Sequence, residues 1–213
     1  APELHKIVED LCKKTNLPKP KIYLIPTENP NAFCCGRDPK HANIAFTDGI
    51  LRLLTKEELK GVAAHELAHD KNRDILISTI AATIAGIISY AAFMARITAI
   101  SDRDSRNSGN IVVLLILAIL APIAALIIQL AISRSREFLA DQSGASYIKD
   151  GKPLATALKK LYISSKQHPL RFGSPATSHL FIVNPFSGRS LMNLFSTHPD
   201  INIRIKKLNE LKF

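Results

Sequence analysis

At residues 65–69 the chain reads His65-Glu66-Leu67-Ala68-His69. Two histidines four positions apart lie on one face of an α-helix, offset by about 6 Å along its axis, so both imidazoles can reach one metal ion. The glutamate after the first histidine projects to the side, where it can act as a general base instead of a ligand. The pattern predicts a zinc-binding helix, and the alternative is an ordinary helix with two partly buried histidines. Thr55 and Glu58 have the spacing of a capping box and predict that this helix begins just after Thr55.

A catalytic zinc takes three protein ligands and leaves a fourth position open. Glu137 and Asp141 are again four apart on a predicted helix. Glu137 is the best candidate for the third ligand, with Asp141 accepting a hydrogen bond from a ligand imidazole and so fixing its tautomer. The alternative is a solvated acidic face beside two arginines.

Other residues with metal-binding side chains are less suited to the site. Single histidines occur at His41, His168, His179 and His198. Cys34 and Cys35 are adjacent and lack the spacing of a zinc knuckle, so we interpret them as strand residues. Three cysteines provide no disulfide framework, which suits a reducing compartment.

Two long segments, residues 75–95 and 107–133, carry no charged residue. Each is long enough, at about 1.5 Å per residue, to cross a bilayer core of roughly 30 Å. The alternative is a pair of buried core helices, for which so small a domain has little room. We therefore predict a transmembrane hairpin with a polar loop at 96–110.

The distribution of positive charge predicts the orientation of this hairpin. Its two catalytic-side ends are flanked by Lys71, Arg73, Arg134 and Arg136, and its loop carries Arg96, Arg103 and Arg106 beside two aspartates. By the positive-inside rule the catalytic part faces the cytoplasm of a multi-pass cell-membrane protein. The net charge of +10 suits contact with an anionic bilayer surface. No aromatic-plus-basic ladder or zinc-finger spacing supports a nucleic-acid partner.

The rest of the chain predicts an α+β fold that is mostly helical, with a small antiparallel sheet. We expect strands at 21–25, 31–35 and 42–46, later helices at about 153–167 and 199–211, and a long loop at 168–190 that suits a lid. The predicted organisation is a catalytic domain formed by residues 1–74 and 134–213, interrupted by the hairpin at 75–133. The chain has no initiator methionine and no signal-peptide pattern, so we expect it to begin within a longer natural protein.

Several motifs in this sequence resemble those of the HtpX-type membrane zinc metalloproteases, which are relatives of the CAAX prenyl proteases. The matching pieces are Asn31-Ala32-Phe33, HELAHDKNRD at 65–74, SREFLADQSGA at 135–145, HLFIVNP at 179–185 and Ser196-Thr197-His198-Pro199. The family carries two further membrane helices before this domain.

The resemblance implies a gluzincin-like fold and one Zn²⁺ per chain, held by His65, His69 and Glu137. It also implies that Glu66 is the general base and that Asp141 supports a ligand. His198 and Arg204 match a pair that stabilises the oxyanion in CAAX-type relatives, and Asn31 and Ala32 resemble an edge strand that grips the substrate backbone.

The expected function is therefore zinc-dependent peptide hydrolysis in membrane-protein quality control, with unfolded or misfolded membrane proteins as substrates and the lipid bilayer as a partner. The alternatives are a CAAX-type processing protease and a catalytically silent membrane adaptor with a structural zinc. The sequence leaves the oligomeric state open.

Overall fold

The computed structural model describes residues 1–101, 108–167, 181–182 and 198–213. These residues form two compact units. One combines residues 1–76 with 134–213, and the other comprises residues 77–133.

The first unit begins with helix α1 and alternates short strands with helices. Its elements are α1 (Pro2–Thr15), β1 (Lys21–Ile25), β2 (Ala32–Cys35), a 3₁₀ turn (Pro39–His41), β3 (Asn43–Thr47), α2 (Asp48–Leu53) and α3 (Lys56–Lys71). Further along the chain follow α4 (Asp74–Ser101), α5 (Ser108–Ile148), α6 (Lys152–Gln167) and α7 (Ile201–Glu210). The mostly helical α+β fold with one small sheet is confirmed.

The three strands lie in the order β1-β3-β2. β3 pairs in parallel with β1 and antiparallel with β2, so the sheet is mixed and not wholly antiparallel as predicted. The reason is topological: β1 and β2 follow one another in the chain but do not pair, because β3 lies between them. One side of β2 therefore forms an edge of this sheet.

Helix α3 lies at the centre of the first unit. The predicted capping box is confirmed: Thr55 accepts a hydrogen bond from the Glu58 amide, and the Glu58 carboxylate accepts one from the Thr55 amide. Gly61 and Gly144 allow close approach to its neighbours. A Cβ on Gly61 would lie 2.7 Å from the Leu154 nitrogen at the start of α6, and a Cβ on Gly144 would lie 2.8 Å from the His65 nitrogen.

The two apolar helices are long enough and apolar enough to cross a membrane, at 25 residues from Asp74 to Thr98 and 37 residues from Val112 to Ile148. Few residues of either segment are buried within the protein, as expected for helices that face lipid. Part of the predicted loop at 96–110 is helical, because α4 continues to Ser101 and α5 begins at Ser108. Helix α5 also continues without a break past Ser133, so one helix contains both the second apolar segment and Glu137.

Candidate metal centre

His65, His69 and Glu137 converge in the first unit, with one ligand atom from each lying within 4.8 Å of the others. The Nε2 atoms of His65 and His69 are 3.1 Å apart. His69 Nε2 lies 3.5 Å from Glu137 Oε1, and His65 Nε2 lies 3.9 Å from Glu137 Oε2. Because α3 supplies both imidazoles and α5 supplies the carboxylate, the cluster depends on the close packing of these two helices.

These separations fit a divalent cation of the size of zinc. Nitrogen and oxygen ligands about 2.05 Å from a tetrahedral metal lie about 3.3 Å from one another, and the observed separations of 3.1–3.9 Å bracket that value. The charges around the ligand atoms also suit a divalent cation. Four carboxylates (Glu66, Asp74, Glu137, Asp141) and two guanidinium groups (Arg136, Arg204) surround the ligand atoms. Their net charge of −2 is what a bound dication neutralises.

Each histidine has a carboxylate on its second ring nitrogen. Asp141 Oδ1 lies 3.0 Å from His65 Nδ1, and Asp74 Oδ2 lies 2.7 Å from His69 Nδ1. A carboxylate in this position holds the Nδ1 proton and leaves Nε2 free to bind a metal. Asp74 is itself held by an ion pair with Arg136, which also donates a hydrogen bond to the Asn72 carbonyl.

The electrostatics of the ligands reflect these neighbours. Burial opposes the protonated imidazole, but the Asp74 hydrogen bond and the Glu137 charge raise the pKa of His69 to about 9. Burial likewise opposes ionisation of Glu137, yet His198 and Arg204 hold the pKa of that carboxyl well below its usual range. Glu137 is therefore ionised and ready to act as a ligand.

Glu66 lies next to the ligands without being one of them. It is buried, and its Oε2 accepts a 3.0 Å hydrogen bond from the Cys34 amide on β2. Burial raises the pKa of Glu66, and the nearby Glu137 charge adds to this, while His65 and His69 oppose it. The hydrogen bond also shows that one edge of β2 faces the active-site helix, the edge that pairs with no strand among the described residues.

Arg204 and His198 both contact the third ligand. Arg204 is 1% exposed and donates two hydrogen bonds to Asp141, at 2.8 and 2.7 Å. Its Nη1 also lies 3.0 Å from Glu137 Oε2, and His198 Nδ1 lies 3.2 Å from the same oxygen. The structure therefore places both predicted oxyanion donors beside the metal ligands.

The two residues predicted to bind substrate differ in what they contact. The Asn31 main chain is hydrogen-bonded to Thr47, and its side-chain oxygen accepts a hydrogen bond from the Ile182 amide. Ala32 is buried and pairs with Phe46 in the sheet. Asn31 thus anchors the start of β2, the strand whose edge faces Glu66.

Of the competing metal-binding residues, His41 is exposed, contacts Asp38 and Arg37, and is not one of the three residues whose ligand atoms converge. Cys34 and Cys35 lie on β2, as interpreted from the sequence. His168, His179 and the rest of the predicted lid at 168–190, apart from residues 181–182, lie outside the described residues.

Comparison with known proteins places the chain in a family. The model of peptidase family M48 matches residues 1–212. The chain belongs to peptidase family M48. A protease HtpX homolog from Syntrophobacter fumaroxidans is 54% identical over 99% of this chain and 77% of its own length. Similar proteins with the same description occur in Thermococcus kodakarensis (54% identical, 99% of this chain, 74% of the relative) and Thermodesulfovibrio yellowstonii (57%, 99% and 76%).

Among solved structures, this M48 peptidase is similar to the crystal structure of S. mikatae Ste24p, with a TM-score of 0.64 at 21% identity. The match covers 97% of this chain and 50% of the Ste24p chain, and at this identity it establishes the fold alone. The resemblance to HtpX-type proteases is confirmed, and the chain is a peptidase, which is a hydrolase. Its two apolar helices and its relatives suggest a membrane protein.

Asp74, whose carboxylate contacts His69 Nδ1, was assigned no role in the sequence analysis. Its signal was present, because Asp74 closes the run HELAHDKNRD five positions after His69. The sequence also assigned nothing to Asp70, which is 8% exposed and whose Oδ2 has no hydrogen-bond partner among the described residues. Burial raises the pKa of Asp70, and the nearby Asp38 charge raises it further.

Proposed function

We propose that this M48 peptidase is a membrane-bound, zinc-dependent endopeptidase. The observation that carries the proposal is the cluster of His65, His69 and Glu137 with Glu66 beside it. Two histidines and one glutamate are a known ligand set of catalytic zinc, and three protein ligands leave a position open. When bound, zinc supplies a Lewis acid that polarises a carbonyl and lowers the pKa of water.

The residues of the chain supply the remaining chemistry. A general base works best with a pKa near the operating pH, and burial shifts the pKa of Glu66 upward, in that direction. The Cys34 amide fixes one carboxylate oxygen of Glu66 and leaves the other to accept the proton from attacking water. Glu66 then returns the proton to the leaving amine.

Substrate binding is assigned to the edge of β2 that pairs with no strand in the described part of the chain. An extended peptide can add to an exposed sheet edge through main-chain hydrogen bonds, and the edge of β2 faces Glu66. A peptide bound there passes between the sheet and the ligand cluster. His198 and Arg204, which lie next to Glu137, are positioned to donate hydrogen bonds to the developing oxyanion, an interaction worth on the order of 3 kcal/mol.

We further propose that the substrates are unfolded or misfolded membrane proteins, cleaved on the cytoplasmic side of the cell membrane. A binding mode that uses backbone groups needs an extended segment, which folded proteins rarely expose. The two apolar helices and the charges flanking them support the location. The expected result is that a denatured protein is cleaved and its folded form is resistant. Equal cleavage of both forms would refute this substrate class.

The decisive test uses the full chain in detergent, with metal analysis and an assay of casein hydrolysis. We expect about one zinc per chain and activity that a chelator abolishes. Glu66→Gln should retain zinc and lose cleavage, whereas Glu57→Gln, an exposed change on the same helix, should remain active. Full proteolysis by Glu66→Gln would refute the mechanism. Zinc without turnover in the unmodified chain would favour a structural adaptor.

A further inference from the structure

A cavity of about 150 Å³ adjoins the metal centre and shares His69 with it. Its walls come from the segment that follows β2, from the end of α3 and from the start of α4. The lining includes Asp38, Pro39, Asp70, Ile75 and Leu76. Because β2 ends at Cys35 and the lining begins at Gly36, the cavity continues directly from the edge assigned to substrate binding.

The size of the cavity limits what it can hold. Sites for small-molecule ligands have volumes of roughly 300–1,000 Å³, so this cavity is too small for most of them. It is large enough for one long side chain of a peptide that lies along β2. It is therefore placed and sized as a substrate side-chain pocket.

Asp70 determines the chemistry of the pocket. The residue is 8% exposed, and its Oδ2 is buried with no hydrogen-bond partner in the described part of the chain. A buried carboxylate oxygen without a donor is unfavourable, and a native structure that retains one calls for an explanation. Asp70 also lines the cavity, so a cationic ligand bound there would supply the counter-charge that this carboxylate lacks among the described residues.

The other charges of the pocket do not remove this preference. Arg37 is exposed and lies 3.4 Å from Asp38, so its charge is compensated within the wall. Arg73 is also exposed. Solvent and salt screen exposed charges much more strongly than buried ones, so the buried carboxylate dominates the interior.

We propose that this cavity is a specificity pocket for a basic substrate side chain, with the cationic end of a lysine or arginine at Asp70. The inference rests on the proposed peptidase function. The aliphatic stem of the basic residue packs against Pro39, Ile75 and Leu76, as long cationic side chains commonly do on apolar surfaces. Cleavage sites should therefore show a basic residue at one fixed position relative to the broken bond.

The first experiment needs no variant. The full zinc-loaded chain in detergent is incubated with denatured casein, and the new termini are identified by mass spectrometry. We expect lysine and arginine to be enriched at one position beside the cleaved bonds. Cleavage without any basic preference, or with a preference for acidic residues at that position, overturns the pocket while leaving the peptidase function intact.

The second experiment assigns the preference to Asp70. Two peptides that differ only by lysine or methionine at the enriched position are compared by kcat/KM. We expect the ratio of the two values to fall about 10- to 100-fold in Asp70→Asn, the range for losing one charged hydrogen bond. Asp10→Asn, a surface change on α1, is the matched control and should keep the ratio. An unchanged ratio in Asp70→Asn overturns the assignment. Loss of all cleavage in the unmodified chain would instead refute the peptidase function itself.

Discussion

A methyl group at position 144 should weaken metal binding although it replaces no metal-binding side chain. Gly144 lies two turns beyond Glu137 on α5, and its Cβ in Gly144→Ala would lie 2.8, 2.9 and 3.0 Å from backbone atoms of His65 and Ala64. Carbon atoms pack at about 3.5–4.0 Å, so α5 and α3 must separate by roughly 0.7 Å. Metal sites tolerate ligand displacements of only about 0.2 Å.

The expected magnitude follows from the cost of overpacking, which is about 1–3 kcal/mol in a well-packed core. If 1–2 kcal/mol of this cost appears in the metal-bound state, zinc affinity falls about 5- to 30-fold. Affinity is measured by competition with a chromophoric chelator, and folding is measured by the thermal loss of helical circular dichroism.

Gly61→Ala is the matched control, because Gly61 lies on the same buried helix as the histidines. Its Cβ would lie 2.7 Å from the Leu154 nitrogen, but α6 carries no metal ligand. Both variants gain the same helix propensity, and in both the new methyl group overlaps a neighbouring backbone to a similar extent. Their thermal stabilities should therefore change alike, whereas only Gly144→Ala should lose zinc affinity. Equal affinities in the two variants would refute the argument that the α3–α5 contact sets the ligand distances.

Further predictions concern the carboxylates. Asp74→Asn should weaken zinc binding about 10- to 100-fold in the same competition assay, because His69 loses the carboxylate that fixes its tautomer. The exposed change Asp10→Asn is the control and should leave zinc affinity unchanged. Unchanged affinity in Asp74→Asn would contradict the role of Asp74 in holding His69. Glu58→Gln should keep the capping box but lose the 2.7 Å ion pair with Lys160. Burial opposes ionisation, but the Lys160 and Thr55 hydrogen bonds lower the pKa of Glu58 below its ordinary 4.5. The pair therefore stabilises the fold above about pH 4.5 by at most about 1 kcal/mol, and the stabilisation is lost as pH falls through the lowered pKa. The difference in melting temperature between Glu58→Gln and the unmodified chain should thus be largest at neutral pH and shrink as the pH falls through the lowered pKa of Glu58. A difference independent of pH would refute this role of the pair.

The sequence predicted best what local interactions determine. The capping box at Thr55 fixes the start of α3 within one turn, and the four-residue spacing of the histidines follows from helix geometry alone. The strand at 21–25 has the predicted limits, because alternating apolar residues and flanking prolines define it locally. The order of the strands in the sheet was not predictable in this way, because it depends on β3 passing between two strands that are consecutive in sequence.

The role of Asp74 could not be predicted from the sequence for a different reason. Arg73 has a φ of 54°, a left-handed conformation that is uncommon for residues other than glycine and asparagine. This residue lies between the end of α3 and the start of α4 and turns the chain, so that Asp74 can reach back to His69. Nothing in the identity of an arginine indicates such a turn, so Asp74 could equally have been a surface residue at the start of α4.

Arg204 shows what composition and periodicity could not reveal. The sequence carries 28 lysine and arginine residues, and only the resemblance of His198 and Arg204 to an oxyanion-stabilising pair singled out the one that is 1% exposed. A buried guanidinium is tolerated only with charged partners, and here it has both Asp141 and Glu137. The dependence is mutual, because removing Arg204 leaves two buried carboxylates without their counter-charge. A loss of activity in Arg204→Ala would therefore not identify an oxyanion donor, since the fold and the metal can be lost before the chemistry is tested. Only a variant that keeps zinc and its melting temperature, but lowers kcat, assigns that role to Arg204.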